Sequence, residues 1–133
     1  MSYHTLIIVG HLGRDPEMRY TPAGQAVTNF SVATNRQYTN SNGEQVKETI
    51  WFRVSTWGKQ AEVSNEYLHK GSLVLVEGRL IPDPNTGRPR IWQGKNGPGA
   101  SFEVSASVVR FLTGREDGND SSPEPAEEDA VPF

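Results

Sequence analysis

The pattern of apolar and polar positions along the chain predicts five β-strands. Side chains alternate between the two faces of a strand, so the alternation at 26–33 and 102–112 indicates strands with one buried face. Residues 48–57 and 72–80 are also predicted strands. Residues 5–9 are apolar on both faces after the first position, which predicts a strand covered on both sides, either within the domain or by a second subunit.

One segment, residues 59–70, lies between the third and fourth predicted strands and has helical spacing. Its narrow apolar stripe is formed by Ala61, Val63, Tyr67 and Leu68. Lys70 and Gly71 end it with a cation and then a glycine, as is common at helix C-termini. A stretch rich in proline and glycine, residues 82–99, predicts turns before the last strand.

Three strands, a helix and two further strands is the element order of the OB-fold, a five-stranded barrel that binds oligonucleotides on one face and in two of its loops. The predicted fold class is therefore all-β with one short helix. We expect an OB-fold barrel at residues 1–113, followed by a disordered acidic C-terminal tail. Other small barrels also have five strands, so the element order alone leaves them open.

The third predicted strand has two chemically different faces. Its even-numbered positions, from Ile50 to Val54, are apolar and suit the core, whereas the odd-numbered face carries Trp51, Arg53 and Trp57. Aromatic rings beside a guanidinium group suit a single strand of nucleic acid, because each base offers a π-face and each linkage a phosphate. The alternative is that a tryptophan packs under a loop or at a subunit contact.

Other aromatic and basic residues extend this candidate surface into the neighbouring strands and loops. For Lys70, the alternative to nucleic-acid binding is charge complementarity with the end of the helix. For Trp92, the alternative is that the ring packs back on the barrel. The further candidate binding residues are Arg19, Arg36, Tyr38, Lys59, Lys70, Arg79, Arg88, Arg90 and Trp92.

Charge divides the chain into two parts. All 13 lysines and arginines lie at or before Arg115 together with nine acidic residues, whereas residues 116–133 hold seven acidic residues and no basic one. The net charges are therefore +4 and −7, which suits a polyanion-binding domain beside an interaction tail. We expect a flexible linker at 114–126 and an acidic protein-interaction tip at 127–133, unless the acidic end serves solubility alone. The tip residues are Glu127, Glu128, Asp129, Val131, Pro132 and Phe133.

Little in the sequence indicates catalysis. The chain contains no cysteine, which excludes disulfides and thiolate metal ligands and fits a cytoplasmic protein. His4, His11 and His69 have neither metal-ligand spacing nor a nucleophilic partner. We expect no enzyme activity, no metal and no cofactor. The sequence also has no run of about 18 apolar residues that would predict a membrane span, and its N-terminus does not resemble a signal peptide.

Several segments, taken in order, resemble the bacterial single-stranded DNA-binding proteins. The resemblance covers the whole chain, from its first strand to the acidic tip. It is carried by LIIVGHLGRDPE at 6–17, DPEMRY at 15–20, WFRV at 51–54, WGKQAE at 57–62, YLHKGS at 67–72 and VEGRL at 76–80.

The resemblance implies an OB-fold that assembles as a homotetramer and coats single-stranded DNA during replication, recombination and repair, in the cytoplasm and on the nucleoid. It implies base stacking by Tyr38, where the family often has tryptophan, and by Trp51 and Trp57. Trp92 lies in a region where the family has another aromatic residue. The acidic tip is implied to recruit helicases, nucleases, primase and polymerase-associated subunits.

The sequence departs from the family pattern in two places. The family tip usually has three aspartates before Ile-Pro-Phe, whereas this chain has Glu128, Asp129 and Ala130 before Val-Pro-Phe. The segment 81–99 is unusually rich in proline and glycine. Two alternatives in function stay open at this point: an RNA-binding OB protein, and an adaptor of the primosome type that acts mainly by protein contacts.

Overall fold

Eight strands and one helix make up residues 1–112, the part of the chain that the computed structural model describes. The helix, α1, spans Gly58–Tyr67. The strands are β1 (Leu6–Leu12), β2 (Glu17–Tyr20), β3 (Ala26–Thr39), β4 (Gln45–Trp57), β5 (Leu73–Leu80), β6 (Ile91–Gly94), β7 (Gly97–Ala100) and β8 (Phe102–Phe111). The predicted linker at 114–126 and the predicted interaction tip at 127–133 lie outside the described residues.

Five of these strands close into a barrel. Hydrogen-bonded neighbours follow the order β1-β5-β8-β4-β3. The barrel is closed by pairing of β3 with β1, where His11 lies opposite Ala33. β4 and β8 are parallel, and the other barrel pairs are antiparallel. β2 is added outside β3. A closed five-stranded barrel with one helix is the OB-fold arrangement, which confirms the predicted fold of the barrel.

The inward-facing side chains of the barrel strands fill the core. Val32, Val54, Val74, Val76 and Val104 are completely shielded from solvent. Valine suits these positions because a β-branched side chain packs well on a pleated surface. The rest of the core cluster is formed by Ile8, Leu12, Phe30, Leu68 and Ala106.

β1 buries one apolar face and exposes the other. Ile8 is 5% exposed, whereas Ile7 and Val9 are 58% and 44% exposed. The domain itself does not cover this second face. Of the two covers that the sequence leaves open, the described residues do not supply one within the domain, and a second subunit stays a prediction.

Helix α1 packs against β3, where the Thr28 Oγ1 donates a hydrogen bond to the Ala61 carbonyl oxygen at 2.7 Å. The predicted apolar stripe is only partly correct. Ala61, Ser64 and Leu68 are buried, whereas Tyr67 is 61% exposed. No helix among the described residues is long and apolar enough to cross a membrane.

The predicted end of the helix is wrong by three residues. The helix ends at Tyr67, and Leu68 is already extended. The next backbone N–H groups find partners outside the helix: His69 N donates to the Ser72 Oγ at 3.0 Å, and Lys70 N donates to the Asp15 Oδ1 at 2.8 Å. Lys70 therefore lies in a turn beyond the helix and not in its last turn.

The structure also contains strands that the sequence pattern does not predict. β2 is a short polar segment that is defined by its pairing with β3. The strands β3 and β4 extend past 26–33 and 48–57 into a long polar ribbon, which ends in a turn where the Asn40 Oδ1 accepts hydrogen bonds from Asn42 N and Glu44 N. Within the predicted turns at 82–99, β6 and the first part of β7 form a separate hairpin. In all three places backbone pairing is present without apolar alternation.

Candidate nucleic-acid interface

The odd-numbered face of β4 points away from the core. Trp51 and Trp57 are 52% and 42% exposed, and Arg53 between them is also exposed, whereas Val54 is fully buried. A large aromatic side chain gains little stability from such a position. These three side chains are thus available to a partner in the single-chain structure.

The neighbouring strand β3 presents mainly small side chains opposite this face. Ala33 lies opposite Trp51, and Ser31 lies opposite Arg53. Further along, the Ser55 Oγ donates a hydrogen bond of 2.8 Å to the Asn29 Oδ1. Small residues on the adjacent strand take up little of the space beside Trp51 and Arg53, which leaves room for flat groups on that side.

Trp57 lies in a groove with residues from five other parts of the chain. In register, Arg19 of β2 lies opposite Val27 of β3, which lies opposite Trp57. The groove has a volume of about 550 Å³, a size typical of ligand sites. Its lining residues are Arg19, Asn29, Arg53, Ser55, Trp57, Ile81, Arg90, Trp92, Ser101 and Glu103. It brings together five of the residues that the sequence singles out.

Trp92 enters this groove from the hairpin of β6 and β7. Its neighbour across the hairpin is Gly99, and a Cβ atom at Gly99 would lie 2.8 Å from the Trp92 Cζ2. The ring therefore packs against the bare backbone of β7, which fixes it on the hairpin and leaves it 47% exposed. The ring thus contacts the hairpin and is not part of the core cluster of the barrel, and its role in binding stays a prediction.

Arg90 and Arg88, two residues apart, lie in different surroundings. The Arg90 Nη1 is 3.8 Å from the Glu103 Oε1 in the groove. Arg88 lines an adjacent, mostly apolar pocket of about 320 Å³, which shares Ile81, Ser101 and Glu103 with the groove. The structure therefore places Arg88 beside the groove but not among its lining residues.

Arg36 and Tyr38 form their own cluster on the β3–β4 ribbon. The guanidinium carbon of Arg36 lies 4.5 Å from the centre of the Tyr38 ring, and its Nη1 is 3.0 Å from the Glu48 Oε1. Their positions have the same parity as Phe30 and Val32, so they lie on the opposite face of β3 from the side that faces Trp51. The cluster offers an aromatic ring and a cation, but on the other face of the ribbon.

The three remaining basic candidates differ in position. Arg79 of β5 lies opposite Ser105 of β8, which in turn lies opposite Ser55, so Arg79 extends the outward face across the sheet. Lys59 is exposed on the helix, where its Nζ is 4.0 Å from the Glu62 Oε1. Lys70 is exposed in its turn, away from the groove-lining set.

Two charged residues near the site escape the sequence analysis. Arg14 lines a pocket of about 150 Å³ beside Arg53. Its place directly after the first strand, in a loop that OB-folds use for binding, is a signal that would have found it. Glu103 lies in the groove itself, opposite Arg53 in register, and a search for basic and aromatic residues passes over it. Among the described residues, no cluster of histidine, aspartate and glutamate has the arrangement of a metal site.

The family profile of the "Single-strand binding protein family" matches residues 3–112, and this chain belongs to that family. Two proteins from Neisseria meningitidis, from serogroups A and B, are each named "Single-stranded DNA-binding protein". Each is 40% identical over 124 residues, covering 92% of this chain and 67% of the relative.

Two solved structures have the same fold. A deletion mutant of the single-stranded DNA-binding protein from Thermus aquaticus is 32% identical, with a TM-score of 0.65, and the match covers 84% of this chain and 51% of that one. The Plasmodium falciparum SSB in complex with ssDNA is 27% identical, with a TM-score of 0.69, and the match covers 84% of this chain and 97% of that one.

Proposed function

We propose that this chain is a binding protein and not an enzyme, and that it binds single-stranded DNA without requiring a particular sequence. The observation that carries the proposal is the groove in which Trp57 and Trp92 lie with Arg19, Arg53 and Arg90. Membership of the single-strand binding protein family supports it, as does the similarity to a Plasmodium protein solved with ssDNA.

In this proposal the aromatic rings stack on bases and the arginines contact phosphates. Stacking tolerates any sequence because every base has a π-face, and each stacked base contributes about 1–3 kcal/mol. Trp51 and Trp57 are the central stacking residues. Trp92 of the same groove and Tyr38 on the β3–β4 ribbon are the further ones. The basic contacts come from Arg19, Arg36, Arg53, Lys59, Lys70, Arg79, Arg88 and Arg90, of which the three groove arginines form the inner set.

We further propose a division of the chain into a binding domain at 1–113, a linker at 114–126 and a protein-interaction tip at 127–133. The opposite net charges of the two parts support this division. The tip would recruit replication, recombination and repair proteins to the coated DNA, which places the protein on the nucleoid. The exposed Ile7 and Val9 support self-association, with a homotetramer as the expected assembly.

The proposal is tested by tryptophan fluorescence during titration with poly-dT, with duplex DNA and matched RNA as competitors. We expect strong quenching by the single strand, little effect of duplex, and weaker binding to RNA. Trp57→Ala and Trp92→Ala should each weaken binding by about 1–3 kcal/mol. Tyr20→Ala is the matched control, because Tyr20 is 61% exposed but lies on the other face of β2 from Arg19. Unchanged affinity in both tryptophan variants would contradict base stacking, and tighter RNA binding would favour an RNA-binding protein.

A further inference from the structure

One lining residue of the groove has the wrong charge for a phosphate-binding surface. Glu103 of β8 lies opposite Arg53 of β4 in register, and its side chain is 19% exposed. The same groove contains Arg19, Arg53 and Arg90, so a carboxylate is placed among the groups that would bind the DNA backbone. The barrel does not need it there for its core, because the adjacent Val104 supplies the buried contact.

The Glu103 carboxylate keeps most of its hydrogen-bonding capacity. Among the described residues, its side chain forms an ion pair with Arg90. The distance of 3.8 Å between the Arg90 Nη1 and the Glu103 Oε1 exceeds that of a hydrogen bond. The hydrogen bond that Glu103 does accept, from Ile81 N at 2.9 Å, uses its backbone carbonyl. An ionised carboxylate is an acceptor with about four lone-pair sites. It repels a phosphate and accepts hydrogen bonds from N–H groups.

The bases differ in what they offer to such a group. Cytosine carries an exocyclic N4 amino group and adenine an N6 amino group, whereas thymine presents the O4 acceptor at the equivalent position. Glutamate and aspartate accept hydrogen bonds from the N4 amino group of cytosine. A base with an amino edge is therefore attracted to Glu103, and thymine is not.

Asn29, on the same groove, offers the complementary group. Its Oδ1 accepts the hydrogen bond from Ser55, so its amide N–H groups remain as donors toward carbonyl oxygens of bases. Both pyrimidines carry such carbonyl oxygens. Asn29 therefore donates to either pyrimidine, whereas Glu103 accepts a hydrogen bond from cytosine and not from thymine. Together they favour cytosine mildly over thymine and leave binding tolerant of sequence.

We propose that Glu103 is a base-discriminating residue of the groove. It attracts the amino edges of bases and repels phosphates, which leaves the phosphates to the arginines of the same groove. It therefore favours bases with an exocyclic amino group over thymine. This inference rests on the proposed function, because it assigns a role within the same groove. With this role, Glu103 contacts the edges of bases whose faces stack on the tryptophans.

The test compares dC and dT oligonucleotides of equal length, short enough to occupy one domain, at neutral pH and fixed salt. Glu103→Gln keeps the shape of the side chain, removes its charge and adds an amide donor that suits the O4 of thymine. We expect the ratio of dC affinity to dT affinity to fall about threefold or more, in line with the loss of a hydrogen bond to a charged group. Glu103→Ala should lower the same ratio.

Glu66→Gln is the matched control, because it removes the same charge from an exposed position on α1 that does not line the groove. It should leave the ratio unchanged. If Glu103→Gln raises the affinity for dC and dT by the same factor, Glu103 acts through its charge alone and the inference is overturned. If the unaltered chain binds neither oligonucleotide, the proposed function fails and the inference fails with it.

Discussion

The indole ring of Trp51 packs against the backbone of Gly13. A Cβ atom at Gly13 would lie 2.5 Å from the Trp51 Cζ3 and 2.7 Å from its Cη2, closer than carbon atoms approach without displacement. Gly13 directly follows β1, and its N–H donates to the Ser31 carbonyl oxygen at 3.1 Å. A glycine from one strand end thus supports one side of the ring, and the ring remains 52% exposed.

Gly13→Ala should displace the Trp51 ring and weaken binding to single-stranded DNA. We expect a loss comparable to that of removing one stacked base, about 1–3 kcal/mol, together with a change in the intrinsic tryptophan fluorescence. The measurement is a double-mutant cycle with Trp51→Ala. If Gly13 acts by positioning the ring, Gly13→Ala has little further effect once the ring is gone. Additive losses would mean that Gly13 contributes by another route.

The arginines of the groove should determine part of the salt dependence of binding. Each phosphate contact to a single strand adds about 0.7 to the slope of log affinity against log salt concentration. Arg19→Ala and Arg53→Ala should each reduce the slope by about this amount. Arg110→Ala is the control, because Arg110 lies opposite Leu75 toward the end of β8, outside the groove-lining set. Slopes that stay the same in both groove variants would remove these arginines from the phosphate-binding set.

The central part of the candidate site follows from the sequence because it depends on strand parity alone. Once 48–57 is a strand, Trp51, Arg53 and Trp57 must share the face opposite Val54, and the structure places them there. Arg19, Arg90 and Trp92 are exposed, as predicted binding residues must be, but their convergence on one groove depends on β2 and the β6–β7 hairpin. Both elements are held by backbone pairing and lack an apolar pattern, so the sequence gives no local signal for them.

Other features depend on the course of the strands or on contacts between residues far apart in the sequence. Strand parity places Tyr38 on the face of the ribbon opposite to that of Trp51, so the two predicted stacking residues do not share one strand face. Helix α1 ends at Tyr67, and in the turn that follows Asp15 accepts a hydrogen bond from Lys70 N across 55 positions of sequence. Glu103 is missed because its carboxylate matters only beside Arg53 and Arg90. Long-range contacts of this kind leave no local signal.

A buried hydroxyl links the helix to the barrel and should contribute measurably to stability. The Thr28 Oγ1 is fully buried and donates to the Ala61 carbonyl oxygen at 2.7 Å. Thr28→Val keeps the shape and removes the donor, so the free energy of unfolding should fall by about 1–2 kcal/mol. Thr49→Val is the control, because the Thr49 hydroxyl donates to Asn35 at an exposed position, where the change should stay within about 0.5 kcal/mol. Denaturant unfolding measures both, and equal effects would contradict a specific role of the buried bond.

The charge of residues 116–133 should reduce the affinity of the binding domain for DNA. This segment carries seven acidic residues, whereas the part before it has an excess of basic ones. We expect the acidic side chains to compete with phosphate for the groove arginines. Salt should weaken this competition, because charges are screened beyond about 10 Å at 0.1 M. Removing residues 116–133 should therefore raise the affinity for a dT oligonucleotide at low salt and change it less at high salt. A full-length chain with the seven acidic residues changed to their amides is the matched control, and it should behave like the truncation if charge is the cause. An increase that occurs only in the truncation would assign the effect to the length of the segment.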